Sequence, residues 1–285
     1  MSATGGWHIG DVTITPVFEV DAAEVIAVGI PDATPENLLA ISWLRPNFVT
    51  EDGRPRAVVQ SFVVETPGAR VLVDTCVGNG KVRNEIVEWS GLQTDFLSRL
   101  PSIDIVVCTH FHFDHIGWNT MLVDGQWVPT FPDARYVFLR DEFDYWSSQP
   151  DAEAEDDHAG FSDSVQPIIE AGLAEFASVE DTPAETISFI ATRGHTPGHV
   201  SVLVESNGEA AVITGDAIHH PCQIAQPEWF TLFDTHEQQA RESRRALLER
   251  LVDTSTLLIG SHFSSPTAGF VRRDGAGFSL AESPG

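Results

Sequence analysis

Thr109-His110-Phe111-His112-Phe113-Asp114-His115 is the stretch on which the reading of this chain turns. Four metal-capable side chains, His110, His112, Asp114 and His115, fall within six residues. Alternation puts His110 and His112 on one side of an extended segment, and Asp114 and His115 turn toward a second position. The stretch begins where a short, mostly apolar run, Ile103 to Thr109, ends. Such a run predicts a strand buried on both faces, and the loop leaving a strand end is where functional groups are presented. With 11 histidines in 285 residues, this spacing arises by chance on the order of once in a thousand such chains. Metal binding is therefore preferred to a surface cluster of histidines.

Further downstream, Gly194-His195-Thr196-Pro197-Gly198-His199 lies between two strand-like runs, Thr214-Gly215-Asp216 ends one strand, and Gly260-Ser261-His262 ends another. Each brings one ligand-type side chain to a strand terminus. Mixed nitrogen and oxygen ligands suit zinc, and one carboxylate can bridge two ions. Around these points the pattern predicts strands over 58–65 and 70–74, joined by a Thr66–Ala69 hairpin turn, and over 135–139, 187–192, 200–205, 210–214 and 257–260. Asn207-Gly208 marks a turn, and a last hairpin is expected over 270–280, turning at Asp274-Gly275. Val12 to Val17, carrying Pro16, reads as an edge strand. Helices are predicted over 164–176 and 236–251, the second opened by a Thr235/Gln238 capping box. Pro31, Pro35 and Pro46 predict loops and short helical pieces between Asp21 and Phe48.

No internal repeat or low-complexity linker interrupts the chain, so residues 1–285 are expected to form a single domain. Hydrophobic residues make up 42% and the mean hydropathy is −0.05, which supports a sizeable core. Asp+Glu 42 against Lys+Arg 16 gives a net charge of −26. Such a field repels phosphate backbones and acidic membranes, so neither nucleic acid nor membrane is expected as a partner. Cys76, Cys108 and Cys222 are odd in number and far apart, as buried free thiols of a reducing compartment would be. The first residues show no basic region followed by an apolar one, and no apolar run is long enough to span a membrane. The expectation is a cytoplasmic protein acting on a small molecule, with a homodimer as the ordinary closed assembly.

The motifs together resemble those of the metallo-β-lactamase superfamily: His-x-His-x-Asp-His at 110–115, Gly-His-Thr-Pro-Gly-His at 194–199, Gly-Asp at 215–216 and Gly-x-His at 260–262 match in order. The resemblance implies an α+β protein, a four-layer αββα sandwich, with a dinuclear metal site. It implies that His110, His112 and His195 hold one zinc ion, that Asp114, His115 and His262 hold the other, and that Asp216 bridges them, with Mn2+ or Co2+ able to substitute. His112 stands where flavodiiron relatives carry an acid, which favours zinc. A single lysine, Lys81, argues against the nuclease branch. What remains resembles the lactonase and methyl-parathion-hydrolase-like branch. His219 stands three residues after Asp216, where acyl-homoserine lactonases usually place a tyrosine, and the Ile218-His219 pair, Phe233-Asp234 and the Gly275–Phe278 ending match the methyl-parathion-hydrolase-like pattern.

The activity implied is hydrolysis of a lactone or carboxylic ester of a hydrophobic small molecule by a metal-activated water. A phosphotriesterase is the alternative, followed by a mononuclear-iron sulfur dioxygenase or a silent metal-binding scaffold. Asp114 is a candidate proton relay to the leaving group. His219 is either an oxyanion hydrogen-bond donor or a packing residue. His199 is expected to be structural, orienting His195. Asp74 is either a support for the metal ligands or an ordinary turn acid. His220 is read as a surface or loop histidine. Trp118, Phe111 and Phe113, interleaved with the ligands, are expected to form an apolar substrate wall together with His219.

Overall fold

The computed structural model describes residues 6–149 and 156–284; residues 1–5, part of the segment read for an export signal, lie outside the described residues. The chain forms β1 (Trp7–Ile9), β2 (Val12–Asp21), α1 (Ala23–Gly29), α2 (Pro35–Ala40), β3 (Val58–Glu65), β4 (Arg70–Val73), β5 (Ile105–Val107), α3 (Phe113–Ile116), β6 (Thr120–Val123), β7 (Gln126–Pro129), β8 (Arg135–Leu139), α4 (Arg140–Ser148), α5 (Asp156–Gly160), α6 (Gln166–Glu170), β9 (Ala174–Ala177), β10 (Ile187–Ala191), β11 (Val200–Ser206), β12 (Glu209–Ile213), α7 (Cys222–Ala225), α8 (Glu237–Leu251), β13 (Leu257–Ile259), β14 (Ala268–Asp274) and β15 (Gly277–Ala281). These fall into two compact units. One takes the chain up to Glu19 together with Val59–Ser188; the other takes Val20–Val58 and the chain from Phe189 onward.

The first unit is built on a seven-stranded sheet of order β1-β2-β3-β4-β5-β8-β9. β5 lies between β4 and β8, parallel to both, and its three residues are buried, as an uninterrupted apolar run requires. β2 is an inner strand: β1 pairs outside it, register Trp7↔Ile14, so the edge expected at Val12–Val17 lies one strand further out. The helix expected over 164–176 is shorter. α5 continues through a π-helical turn, Phe161–Val165, into α6, and Ala174–Ala177 then pairs with β8 as β9. The aromatic and apolar residues there fill a sheet position that helix periodicity cannot reveal.

The second unit carries a six-stranded sheet, β10-β11-β12-β13-β14-β15. β11 and β12 turn at Asn207 and Gly208, both at positive φ (51° and 80°), the conformation an Asn-Gly hairpin turn needs. In the last hairpin Asp274 pairs with Gly277, so the turn is Gly275-Ala276, one residue beyond the expected place. α8 buries Ala240, Leu247, Leu248 and Leu251, and also Arg244. Its N-cap is His236, with no side-chain cap, so the Thr235/Gln238 box does not form; Thr235 instead gives its N–H to the His195 carbonyl. The 21–48 stretch holds α1 and α2, and Thr34 caps α2 by accepting the Asn37 N–H at 3.2 Å. Among the described residues no helix is long and apolar enough to cross a membrane, and all three cysteines are free and buried.

Candidate metal centre

In the first unit, β5 ends against the motif, and α3 begins at Phe113 so that Asp114 and His115 share one helical turn. Ligand atoms of His110 and His112 lie within 4.8 Å of each other, as do those of Asp114 and His115. The His110 ring sits 4.7 Å from that of His112 and 4.2 Å from that of His115. Burying so many imidazoles side by side costs hydration unless each is oriented by a partner. Asp74 supplies much of that orientation. It leaves β4 at φ +58°, accepts the Thr109 N–H and hydroxyl at 2.8 and 2.9 Å, and lies 2.8 Å from His115 Nδ1. Asp74 is therefore a support for a ligand-type histidine rather than an ordinary turn acid. Thr109 Oγ1 stands 3.0 Å from His110 Nδ1. Glu142 accepts the Phe111 N–H at 2.9 Å. Asp157 accepts the Phe113 N–H at 3.1 Å and has its other oxygen 3.8 Å from His112 Nε2.

In the second unit three strand ends supply the side chains. His195 follows β10 in a loop docked on the start of α8. Gly194 takes φ +126°, and a Cβ there would meet the Ala240 nitrogen at 2.1 Å, so only glycine allows this approach. Asp216 follows β12, and His262 follows β13. The Asp216 carboxylate is faced by three imidazole Nε2 atoms: His262 at 3.1 Å, His219 at 3.2 Å and His195 at 3.4 Å. Two of these rings are fixed through Nδ1, His195 on Asp234 at 3.0 Å and His262 on the Val58 carbonyl at 2.9 Å. That pattern, one ring nitrogen held by a carboxylate or carbonyl and the other directed inward, is how metal-ligating histidines are oriented. His219, 2% exposed, makes no hydrogen bond through either ring nitrogen, and its ring is stacked on His262 at 6.1 Å. A buried imidazole held this way fits a site that takes up a further polar group. The nitrogen and carboxylate donors suit a borderline ion such as zinc.

Two supports were not expected from the sequence. Asp234 holds His195, and burial pushes its carboxyl pKa up. Arg244, fully buried, donates to the carbonyls of Ala217, Pro227 and Trp229 at 2.9, 2.9 and 2.7 Å and lies 3.8 Å from Asp234. It thereby ties the loop after Asp216 to the acid behind His195. The signal was present, an arginine on the inward side of α8 spacing, but it reads as a surface charge in a helix rich in charges.

His199 is structural, though its partner differs from the one expected. Its Nε2 accepts the Asp216 N–H at 2.8 Å, so Nδ1 carries the proton and donates to the Thr192 carbonyl at 3.0 Å. It positions Asp216, while Asp234 orients His195. His220 is not a surface histidine. It is fully buried, with Nε2 donating to the Phe48 carbonyl at 2.9 Å and Nδ1 accepting the Cys222 N–H at 3.1 Å. Burial lowers its pKa to about 4. The aromatic wall also differs from expectation. Trp118 stacks on Phe96 at 6.0 Å and gives its N–H to the buried Glu19 at 2.6 Å. Phe111 packs edge-on against Phe138 at 5.0 Å, and Phe113 meets Trp89 at 6.0 Å. All three rings belong to the first unit's core, because each has a packing partner close in the fold that sequence spacing does not reveal.

Compared with known proteins, the chain matches the Metallo-beta-lactamase superfamily over residues 54–262. A curated relative, the probable metallo-hydrolase YflN of Bacillus subtilis (strain 168), is 30% identical over 122 residues. That match takes in 40% of this chain and 44% of YflN, less than half of the relative's length. Two solved structures cover nearly the whole chain. AidC, a dizinc quorum-quenching lactonase, aligns with a TM-score of 0.74 at 22% identity over 98% of this chain and 97% of its own. The hydrolase AbOPH of the beta lactamase superfamily aligns at 0.75 and 20% identity, also over 98% of this chain and 97% of its own. These likenesses show the fold, mixed α and β with sheets and helices.

Proposed function

The chain belongs to the metallo-β-lactamase superfamily, and from that premise we propose that it is a dinuclear zinc hydrolase of one domain, residues 1–285, that opens lactones or cleaves carboxylic esters of a hydrophobic small molecule. The observation that carries this reading is the Asp216 carboxylate faced by imidazoles of His195, His219 and His262 at 3.1–3.4 Å. In this reading His110, His112 and His195 hold one ion, Asp114, His115 and His262 the other, and Asp216 is shared. The structural likeness to AidC, a dizinc lactonase, supports the choice of zinc and of an ester bond.

Divalent ions held by these residues would supply a water nucleophile active near neutral pH and a Lewis acid for the acyl oxygen. The protein's own part is orientation and proton handling. Asp74 and Asp234 hold His115 and His195 in the tautomer that directs Nε2 inward. Asp114, the second residue of α3, takes the proton released by the attacking water and passes it to the departing alkoxide. His219 donates a hydrogen bond to the developing oxyanion. The acidic field of the chain supports a small molecule, rather than nucleic acid or a membrane, as the partner.

The test is metal analysis of the purified protein joined to a hydrolysis panel of aliphatic lactones, aryl esters and a phosphotriester. Two zincs per chain, with lactone or ester turnover abolished by chelation and restored by Zn2+, Mn2+ or Co2+, are expected. Turnover of the phosphotriester alone would move the reading to a phosphotriesterase, one iron to a dioxygenase, and full activity after exhaustive metal removal would defeat it.

A further inference from the structure

The second unit exposes an apolar surface beside its histidines. Val28 is 70% exposed, Leu232 60% and Phe233 36%. Single exposed apolar side chains are ordinary, whereas a contiguous group is not. Leu232 and Phe233 are docked on Gly29, the residue that follows Val28 in α1. The Phe233 ring lies on the backbone of Gly29, where an added Cβ would come within 2.2 Å of Cε2, and the Leu232 N–H donates to the Gly29 carbonyl at 2.8 Å. The loop is fixed from below as well: Asp234, next in sequence, lies 3.0 Å from His195 Nδ1. Phe233 is also 6.3 Å, ring to ring, from His219, whose Nε2 faces Asp216. An apolar shelf thus runs from solvent to the imidazole that this reading assigns to the oxyanion.

We infer that Val28, Leu232 and Phe233 form the specificity-determining shelf for the apolar acyl or aryl substituent of an uncharged ester or lactone. The inference rests on the hydrolase reading above and adds two statements to it: where the apolar part lies, and that the substrate is neutral. Neutrality follows from the net charge of −26, which disfavours an anionic ligand and favours departure of a carboxylate product. Shelf position follows from continuity. A substituent laid along Phe233 leaves its ester carbon on the His219 side, and the absence of a side chain at Gly29 leaves the room in which the ring lies.

The experiment uses the zinc-loaded protein and p-nitrophenyl esters from acetate to octanoate. Full burial of a methylene sets a ceiling of about fourfold per carbon, so kcat/KM should climb by roughly two- to fourfold per added carbon. Leu232→Ser and the Val28→Ser/Leu232→Ser pair change exposed side chains and should fold. They should cut the octanoate-to-acetate ratio by about tenfold or more, mainly through KM, with zinc content unchanged. Gly29→Ala, which displaces the ring, should do the same. An unchanged ratio in all three variants overturns the shelf. A wild type that turns over no ester or lactone defeats the hydrolase reading instead, and the shelf is then decided by calorimetry with octanamide. Binding that is weakened about tenfold in the variants supports it, and equal binding overturns it. Octanoate binding as tightly as octanamide overturns the neutrality statement. If Leu232→Ser converts a dimer to a monomer in analytical ultracentrifugation, a second copy of the chain covers these residues and the proposal falls.

Discussion

In the first unit the ligand-type side chains sit on one continuous stretch, residues 110–115, whereas in the second His195, Asp216 and His262 arrive from three separate strand ends. The carboxylates exchange roles accordingly. Asp74 stands behind the first set, taking the Thr109 N–H and His115 Nδ1, while Asp216 stands at the centre of the second and is itself held by His199. A set carried on one strand end and one helical turn is ordered by local backbone. A set gathered from distant strands depends on long-range partners, here Asp234, Arg244 and the Val58 carbonyl. The second set should therefore be the more sensitive to loss of a support.

The largest effect should come from the centre of the dispersed set. Asp216→Ala removes the group that three imidazoles face, and activity should fall on the order of 10³-fold or more with loss of most bound metal. Metal content measured beside kcat/KM checks this, and a variant with two metals and wild-type rates would break the comparison outright. His219→Ala should come next. As an oxyanion donor it should lower kcat and kcat/KM together by roughly 10²–10³-fold, with metal retained. A packing role would instead lower the melting temperature and spare the kinetics.

The supports themselves rank third. Asp74→Asn and Asp234→Asn should each weaken metal binding or activity by about 10–100-fold, with Asp234→Asn the more severe, since it also takes the charge partner from Arg244. Competition with a chelator of known affinity gives both numbers. If Asp74→Asn proves the more severe, the contrast between a locally and a distantly ordered set is wrong.

How much of this was legible depended on the same distinction. The contiguous motif could be read directly, because its residues are neighbours in sequence, and so could β5, whose apolar run needs no distant partner to be recognised. The residues of the second set were marked by their places at predicted strand ends, but their grouping into one site came only from resemblance to a family, since nothing in local pattern links His195 to His262. The supports were legible least. Asp234 and Arg244 look like surface charges until α8 is folded against the 215–231 loop, and Trp118 looks like a pocket wall until Phe96 and Glu19 are brought to it. One local signal went unread: Asp124-Gly125, both at positive φ, turns the β6–β7 hairpin, and that dipeptide between apolar flanks is a strong hairpin mark.

His220 supplies the smallest and most specific test, because it separates two kinds of buried histidine within one unit. His195 and His262 have one ring nitrogen fixed and the other directed at Asp216, while His220 has both engaged by backbone, at Phe48 and Cys222. A ring so placed is structural and must stay neutral. Its pKa of about 4 in the folded chain lies below the ~6.5 of an unfolded histidine. Between these values the unfolded chain binds the extra proton, so stability falls as pH drops from about 6.5 to about 4 and is unaffected above that window. The full span corresponds to about 3 kcal/mol at most, at 1.36 kcal/mol per pKa unit. His220→Asn retains a donor for the Phe48 carbonyl and does not titrate. Urea unfolding of both proteins at pH 7.5 and at pH 4.5 isolates this histidine from every other titrating group, because the others are shared. The variant should be the less stable at pH 7.5 and should close much of that gap at pH 4.5, with zinc content and ester turnover at pH 7.5 retained. A gap that stays constant between the two pH values would mean that His220 is already protonated in the folded chain, or exposed to solvent, and that its burial does not set its charge.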